Sequence, residues 1–116
     1  MIRRNAYEYL RMPEVAAVVN KEITQSITVY DSSTESVQLY ISEISPGKWS
    51  LGYWILFENG KTADKMPGDL VGWFKTAQDA QLYFLGYMNQ YREYFSEDCI
   101  YEVKKQILSL IQQTLF

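Results

Sequence analysis

The sequence predicts an α+β domain: an antiparallel meander sheet of three or four strands, with two C-terminal helices packed on one face and a short N-terminal helical segment. Three observations predict it. Residues 23–57 alternate between apolar and polar side chains with a period of two, short polar turns interrupt the alternation, and the period changes to 3.6 near residue 76. A length of 116 residues fits one domain spanning residues 1–116.

The N-terminal segment carries two helix signals. Asn5 and Glu8 have the spacing of a capping box, in which each side chain bonds the other residue's backbone N–H. Pro13 suits the first turn of a second helix over residues 13–22, because that position needs no N–H donor. These signals predict a short helical region ahead of the sheet.

The predicted sheet has one strongly apolar face, which we expect to pack on the C-terminal helices. Its members are Ile23, Ile27, Val29, Val37, Leu39, Ile41, Trp49, Leu51, Tyr53, Ile55 and Phe57. The opposite face is predicted to carry Tyr30, Tyr40 and Trp54. A polar loop is expected over residues 58–69, and residues 70–74 are predicted to form a short fourth strand.

Two helices are predicted to close the chain, beginning after Thr76 and Ser96, whose hydroxyls can cap them. The first has an apolar stripe formed by Ala80, Tyr83, Phe84, Tyr87, Met88, Tyr91, Tyr94 and Phe95. The second has a stripe formed by Ile100, Val103, Ile107, Leu110 and Ile111. We expect Trp49, Tyr53, Phe84 and Met88 to pack together where the helices meet the sheet.

Composition argues against an enzyme. The chain has no histidine, which removes histidine bases and most zinc sites, and we predict neither a metal nor a cofactor. Its single cysteine, Cys99, lies in the first turn of a predicted helix, where a thiolate is stabilised, but it has no histidine partner and is expected to be a small buried residue. The lone cysteine and the absence of a signal peptide or membrane-spanning run predict a cytoplasmic protein that does not enter membranes.

Two kinds of partner remain open from composition. An aromatic platform of Tyr30, Tyr40 and Trp54 could stack single-stranded bases, assisted by Arg3 and Arg4. Two arguments oppose nucleic-acid binding. The net charge is −3, and the N-terminal helix is the alternative occupant of that face of the sheet. The 18 aromatic residues, ten Tyr, five Phe and three Trp, are more than a small domain readily buries, which favours a homodimer.

Residues 48–88 contain a Trp, a Gly-Tyr pair, a loop with Gly and Pro, an aromatic-Lys-Thr sequence and an Asp-Ala helix start. This pattern loosely resembles small sheet-plus-helix domains of bacterial mobile-element and plasmid-partition-associated proteins. The resemblance implies a fold and a genomic setting, and no particular activity.

The sequence "QQTLF" at residues 112–116 resembles the short peptide by which bacterial replication and repair proteins dock on the DNA sliding clamp. Gln112, Leu115 and Phe116 match that motif at its first, fourth and fifth positions, whereas Gln113 and Thr114 depart from it. The resemblance implies a protein-interaction module that is an accessory to DNA replication or mobile-element machinery. The alternative is that Leu115, four residues after Ile111, continues the buried stripe of the last helix.

Overall fold

The computed structural model describes residues 24–67 and 74–114. Within these ranges the chain forms a four-stranded antiparallel sheet, in the order β1-β2-β3-β4, followed by two helices. The elements are β1 (Gln25–Asp31), β2 (Ser36–Ser45), β3 (Lys48–Leu56), β4 (Thr62–Lys65), α1 (Ala77–Gln90), a 3-10 turn (Arg92–Tyr94) and α2 (Glu97–Thr114). The predicted fold class is confirmed, while the predicted N-terminal helical segment lies outside the described residues.

The core lies between one face of the sheet and the two helices. Its sheet side contains Val37, Leu39, Ile41, Leu51, Tyr53 and Ile55, all without exposed surface. The rings of Tyr53 and Phe84 are stacked with their centroids 5.6 Å apart, and Met88 is fully buried in the same cluster. Trp49 is only half-buried and packs against the edge of this cluster.

Both predicted helix starts are confirmed by their capping bonds. The Asp79 N–H donates to the Thr76 hydroxyl at 3.0 Å, and the Cys99 N–H donates to the Ser96 hydroxyl at 3.1 Å. Each bond satisfies one of the backbone donors that the first turn of a helix leaves without an intrahelical partner.

The fourth strand does not lie where the sequence predicted it. β4 falls inside the predicted polar loop, and its one buried side chain, Ala63, is too little for an alternation signal. Within the predicted strand 70–74, Phe74 forms an isolated bridge with Trp49, through N–H to carbonyl bonds of 2.8 and 2.9 Å. Residues 70–73 lie outside the described part of the chain.

The predicted alternation of β1 is wrong at its end, because the strand contains a bulge. Thr28 lies opposite Gln38, but the next paired residue, Tyr30, lies opposite Val37, so Val29 is an extra residue in β1. A bulge of this kind reverses the face on which the following side chains lie. Tyr30 therefore packs against the helix-covered core instead of joining the opposite face.

Gly52 in β3 is required by a close backbone approach. A Cβ atom added there would collide with the Lys65 carbonyl oxygen and would lie 2.7 Å from both the nitrogen and the Cδ of Pro67. Because these are backbone and ring atoms at the end of β4, they cannot move aside as a flexible side chain would. The lack of a side chain at Gly52 thus lets the backbone at Lys65 and Pro67 lie directly against β3.

We predict that Gly52→Ala lowers the free energy of unfolding by about 1–3 kcal/mol, the range for overpacking a filled site. Gly86→Ala is the matched control, because a methyl group at Gly86 in α1 meets nothing within 4 Å. The control should raise stability by about 0.5–1 kcal/mol through helix propensity. Urea denaturation of both variants checks the prediction, and equal effects at the two positions would contradict it.

Candidate interaction surface

The outer face of α2 is an exposed apolar surface. Tyr101, Leu108 and Ile111 keep 63, 60 and 43% of their surface accessible, whereas Cys99 and Val103 on the inner face are fully buried. The predicted buried stripe is therefore correct for Ile100, Val103 and Leu110, with Ile107 partly buried, and wrong for Ile111. Consecutive helical residues point about 100° apart, and at this position of α2 Leu110 faces the core while Ile111 faces outward.

The C-terminal end of α2 carries the predicted partner-binding residues. Gln112 is exposed in the last turn of the helix, while Leu115 and Phe116 lie outside the described residues. Two residues before Gln112, the backbone carbonyl of Leu110 accepts a hydrogen bond from the Gln78 side-chain amide at 3.1 Å. This bond connects the end of α2 to α1 and fixes which side of the last turns faces outward.

A surface pocket of about 500 Å³ lies at the other end of α2. Phe95 and Ile100, both nearly buried, contribute its apolar lining, and Tyr101 belongs to both the pocket and the outer face. Arg92 and Lys104 add two positive charges to the lining, and Glu93 and Glu97 add two negative charges. The charges of the lining cancel, so the pocket suits an apolar group without net charge.

Lysine side chains flank the apolar residues along the outer face of α2. The Lys105 ammonium lies 3.2 Å from a carboxylate oxygen of Glu102 and 5.1 Å from the centre of the Tyr101 ring. This cation contact holds Tyr101 beside Lys105 on the surface. Sequence analysis missed Tyr101 and Leu108, although their spacing of seven residues was a visible signal.

The predicted nucleic-acid platform is not assembled as expected. Tyr40 and Trp54 lie half-buried on the sheet face away from the helices, but the bulge places Tyr30 on the other face. Ser42 and Ser50, on the same face as Tyr40, have no exposed surface, so the described strands do not present a continuous open platform. Arg3 and Arg4 lie outside the described residues.

Charge on that face is also unfavourable for nucleic acid. The strand register places Asp31, Lys48 and Asp64 there, two carboxylates and one lysine. A surface that binds phosphates normally has an excess of lysine and arginine. The remaining tyrosine–tryptophan pair thus lacks the electrostatic support that the alternative requires.

A buried carboxylate at the start of α2 was not anticipated from the sequence. Glu35, only 1% exposed, accepts the backbone N–H of Ser96 at 3.1 Å and the Ser96 hydroxyl at 2.5 Å. Glu35 lies in the turn between β1 and β2, 61 residues away along the chain. A negative charge at this point is stabilised by the N-terminal end of the helix dipole.

The environment of Cys99 makes its thiol a poor nucleophile. Burial, together with the nearby carboxylates of Glu35 and Glu58, raises the pKa of the Cys99 thiol from 9.0 to about 12. Partial burial also raises the pKa of Tyr30, and the charges of Asp98 and Glu35 add to this effect. The helix N-terminus does not offset these effects, so Cys99 is a neutral buried thiol at pH 7.

No protein-family model, curated protein or solved structure matches the chain. Across residues 24–67 and 74–114, no group of three or more cysteine and carboxylate side chains is placed to hold a metal ion. Neither helix in the described part is long and apolar enough to span a bilayer.

We predict that Glu35→Gln lowers the free energy of unfolding by about 1.5–3 kcal/mol, the range for a charge-assisted hydrogen bond. Glu97→Gln, which removes an exposed negative charge from the first turn of the same helix, should cost less than about 1 kcal/mol. Thermal or urea denaturation at pH 7 compares them. Equal decreases in the free energy of unfolding for the two variants would show that the buried hydrogen bonds between Glu35 and Ser96 stabilise the fold no more than an exposed charge does.

We predict that native Cys99 does not react with a thiol reagent at pH 8, and that unfolding exposes it. Because the folded protein keeps the thiol proton to about pH 12 while the unfolded chain loses it near pH 9, stability should be present below pH 9 and fall as the pH rises towards 12. Cys99→Ala should show a shallower fall over that window. All other groups are common to both proteins, so the difference between the two pH dependences of stability reports Cys99. Identical slopes in the two proteins would contradict the raised pKa of the Cys99 thiol.

Proposed function

We propose that this protein is a non-enzymatic protein-interaction module that docks a partner through the C-terminal end of α2. The favoured partner is a bacterial DNA sliding clamp, with Gln112, Leu115 and Phe116 as the contacting residues. The setting that goes with this partner is the bacterial cytoplasm, as an accessory factor of DNA replication or mobile-element machinery.

One observation carries the proposal. Ile111 is 43% exposed, and Gln112 is exposed in the following position. The competing explanation of "QQTLF" requires Leu115 to extend a buried stripe through Ile111, and an exposed Ile111 removes the residue from which that stripe would continue. The motif therefore begins at an exposed position of the helix, immediately after the exposed Ile111.

The chemistry of the motif suits such docking. Two adjacent apolar side chains can enter a pocket on the partner, while the Gln112 amide can satisfy polar groups at its rim. A few buried apolar contacts of this kind account for most of the binding energy in peptide–groove interfaces. Lys104 and Lys105 on the same helix can add electrostatic attraction towards an acidic partner surface.

Calorimetry of the full chain with a bacterial sliding clamp tests the proposal. We expect saturable binding, and we expect the double change Leu115→Ala and Phe116→Ala to weaken it by at least about tenfold, or 1.4 kcal/mol. Gln113→Ala is the matched control, because that position departs from the motif, and it should bind as the parent does. Absence of clamp binding by the full chain and by a peptide of residues 107–116 would overturn the proposal.

The nucleic-acid alternative is distinguished in the same series by titrating single-stranded and double-stranded DNA. Stacking on Tyr40 and Trp54 would give binding that weakens steeply with salt and is lost in Trp54→Ala. Clamp docking predicts no such binding. A salt-dependent DNA complex in place of clamp binding would favour the alternative.

A further inference from the structure

The pocket at the N-terminal end of α2 has the size and lining of a small-molecule site. Its volume of about 500 Å³ lies within the ~300–1,000 Å³ that such sites occupy. Phe95 and Ile100, which keep 7 and 6% of their surface exposed, are the buried apolar part of the lining, and Tyr101 adds a second aromatic ring. The remaining lining residues are charged and exposed: Arg92, Glu93, Glu97 and Lys104.

The pocket is preformed, because its two sides are joined at a fixed residue. The 3-10 turn supplies one side and α2 the other, and Ser96 lies between them. The Ser96 N–H and hydroxyl both donate to the buried Glu35 carboxylate, and the Phe95 N–H donates to the Arg92 carbonyl at 3.1 Å. The Phe95 ring also packs against Phe57, with ring centroids 5.6 Å apart. A ligand would therefore enter without the cost of ordering the pocket.

The charges of the lining disfavour a charged ligand, because each side of the pocket carries one cation and one anion. On the 3-10 turn these are Arg92 and Glu93. On α2 they are Lys104 and Glu97. An ionic ligand would be attracted by one member of each pair and repelled by the other. It would also lose water against the apolar part of the pocket without a compensating charge. The lining therefore favours a neutral ligand.

We propose that this pocket binds a small neutral aromatic molecule of one or two rings. Aromatic rings pack favourably against other rings, and the pocket offers Phe95 from the side of the 3-10 turn and Tyr101 from the side of α2. The Lys105 ammonium, which is not part of the lining, holds the Tyr101 ring from 5.1 Å. A hydroxyl or N–H substituent on the ligand can bond the exposed charged groups of the lining. The site lies at the opposite end of α2 from the residues of the proposed function and does not depend on them.

Titration of the isotope-labelled full chain with indole, followed by NMR, tests the proposal. We expect saturable shifts of backbone amides centred on residues 92–104. Indoleacetate and tryptamine carry the same ring system with a negative or a positive charge, and each should bind more weakly than indole. If either charged compound binds as tightly as indole, the cancellation of charge in the lining does not select the ligand and the proposal fails. It also fails if indole gives no saturable shift up to its solubility limit.

Variants of α2 locate the site. Tyr101→Ala removes a ring from the lining and should weaken indole binding about two- to tenfold, the effect of one aromatic contact. Leu108→Ala is the matched control, because Leu108 is 60% exposed, against 63% for Tyr101, and does not line the pocket. It should bind indole as the parent does.

The double change Leu115→Ala and Phe116→Ala, which tests clamp docking, should also leave indole binding unchanged, so the two proposals fail independently. If Tyr101→Ala has no effect, or if Leu108→Ala or the double change weakens binding as much as Tyr101→Ala does, the proposal is overturned.

Discussion

The buried bond between Glu35 and Ser96 determines how the helical layer sits on the sheet. It joins the first hairpin to the residue that caps α2, and both Ser96 donors are directed at one carboxylate. A carboxylate that is 1% exposed has lost its water, so the contact is favourable only while these donors and the helix end compensate for that loss. The start of α2 is therefore fixed to the turn before β2, and its direction follows from there.

Two further side-chain bonds continue this constraint along α2. Gln106 donates to the carbonyl of Val29 at 2.8 Å, at the bulge in β1, and Gln78 donates to the carbonyl of Leu110. The helix is thus held at its start, middle and end by polar groups from three separate elements. Because these bonds fix the rotation of α2, Leu110 faces the core and its neighbour Ile111 faces solvent. The exposed outer face of α2 arises from that rotation.

The sequence predicted the fold class because period-two and period-3.6 patterns are local consequences of burial on one face. Prediction from the sequence failed for features that depend on residues far apart along the chain. The bulge at Val29 moved Tyr30 to the other face, and β4 lacked an apolar pattern because an edge strand buries only Ala63. Nothing in the sequence distinguished Glu35 from an ordinary residue of a polar turn. Its buried position depends on the hydrogen bond with Ser96, which lies 61 residues further along the chain. The proposed role of Gln112 comes from the motif in the sequence and not from a contact in the structure.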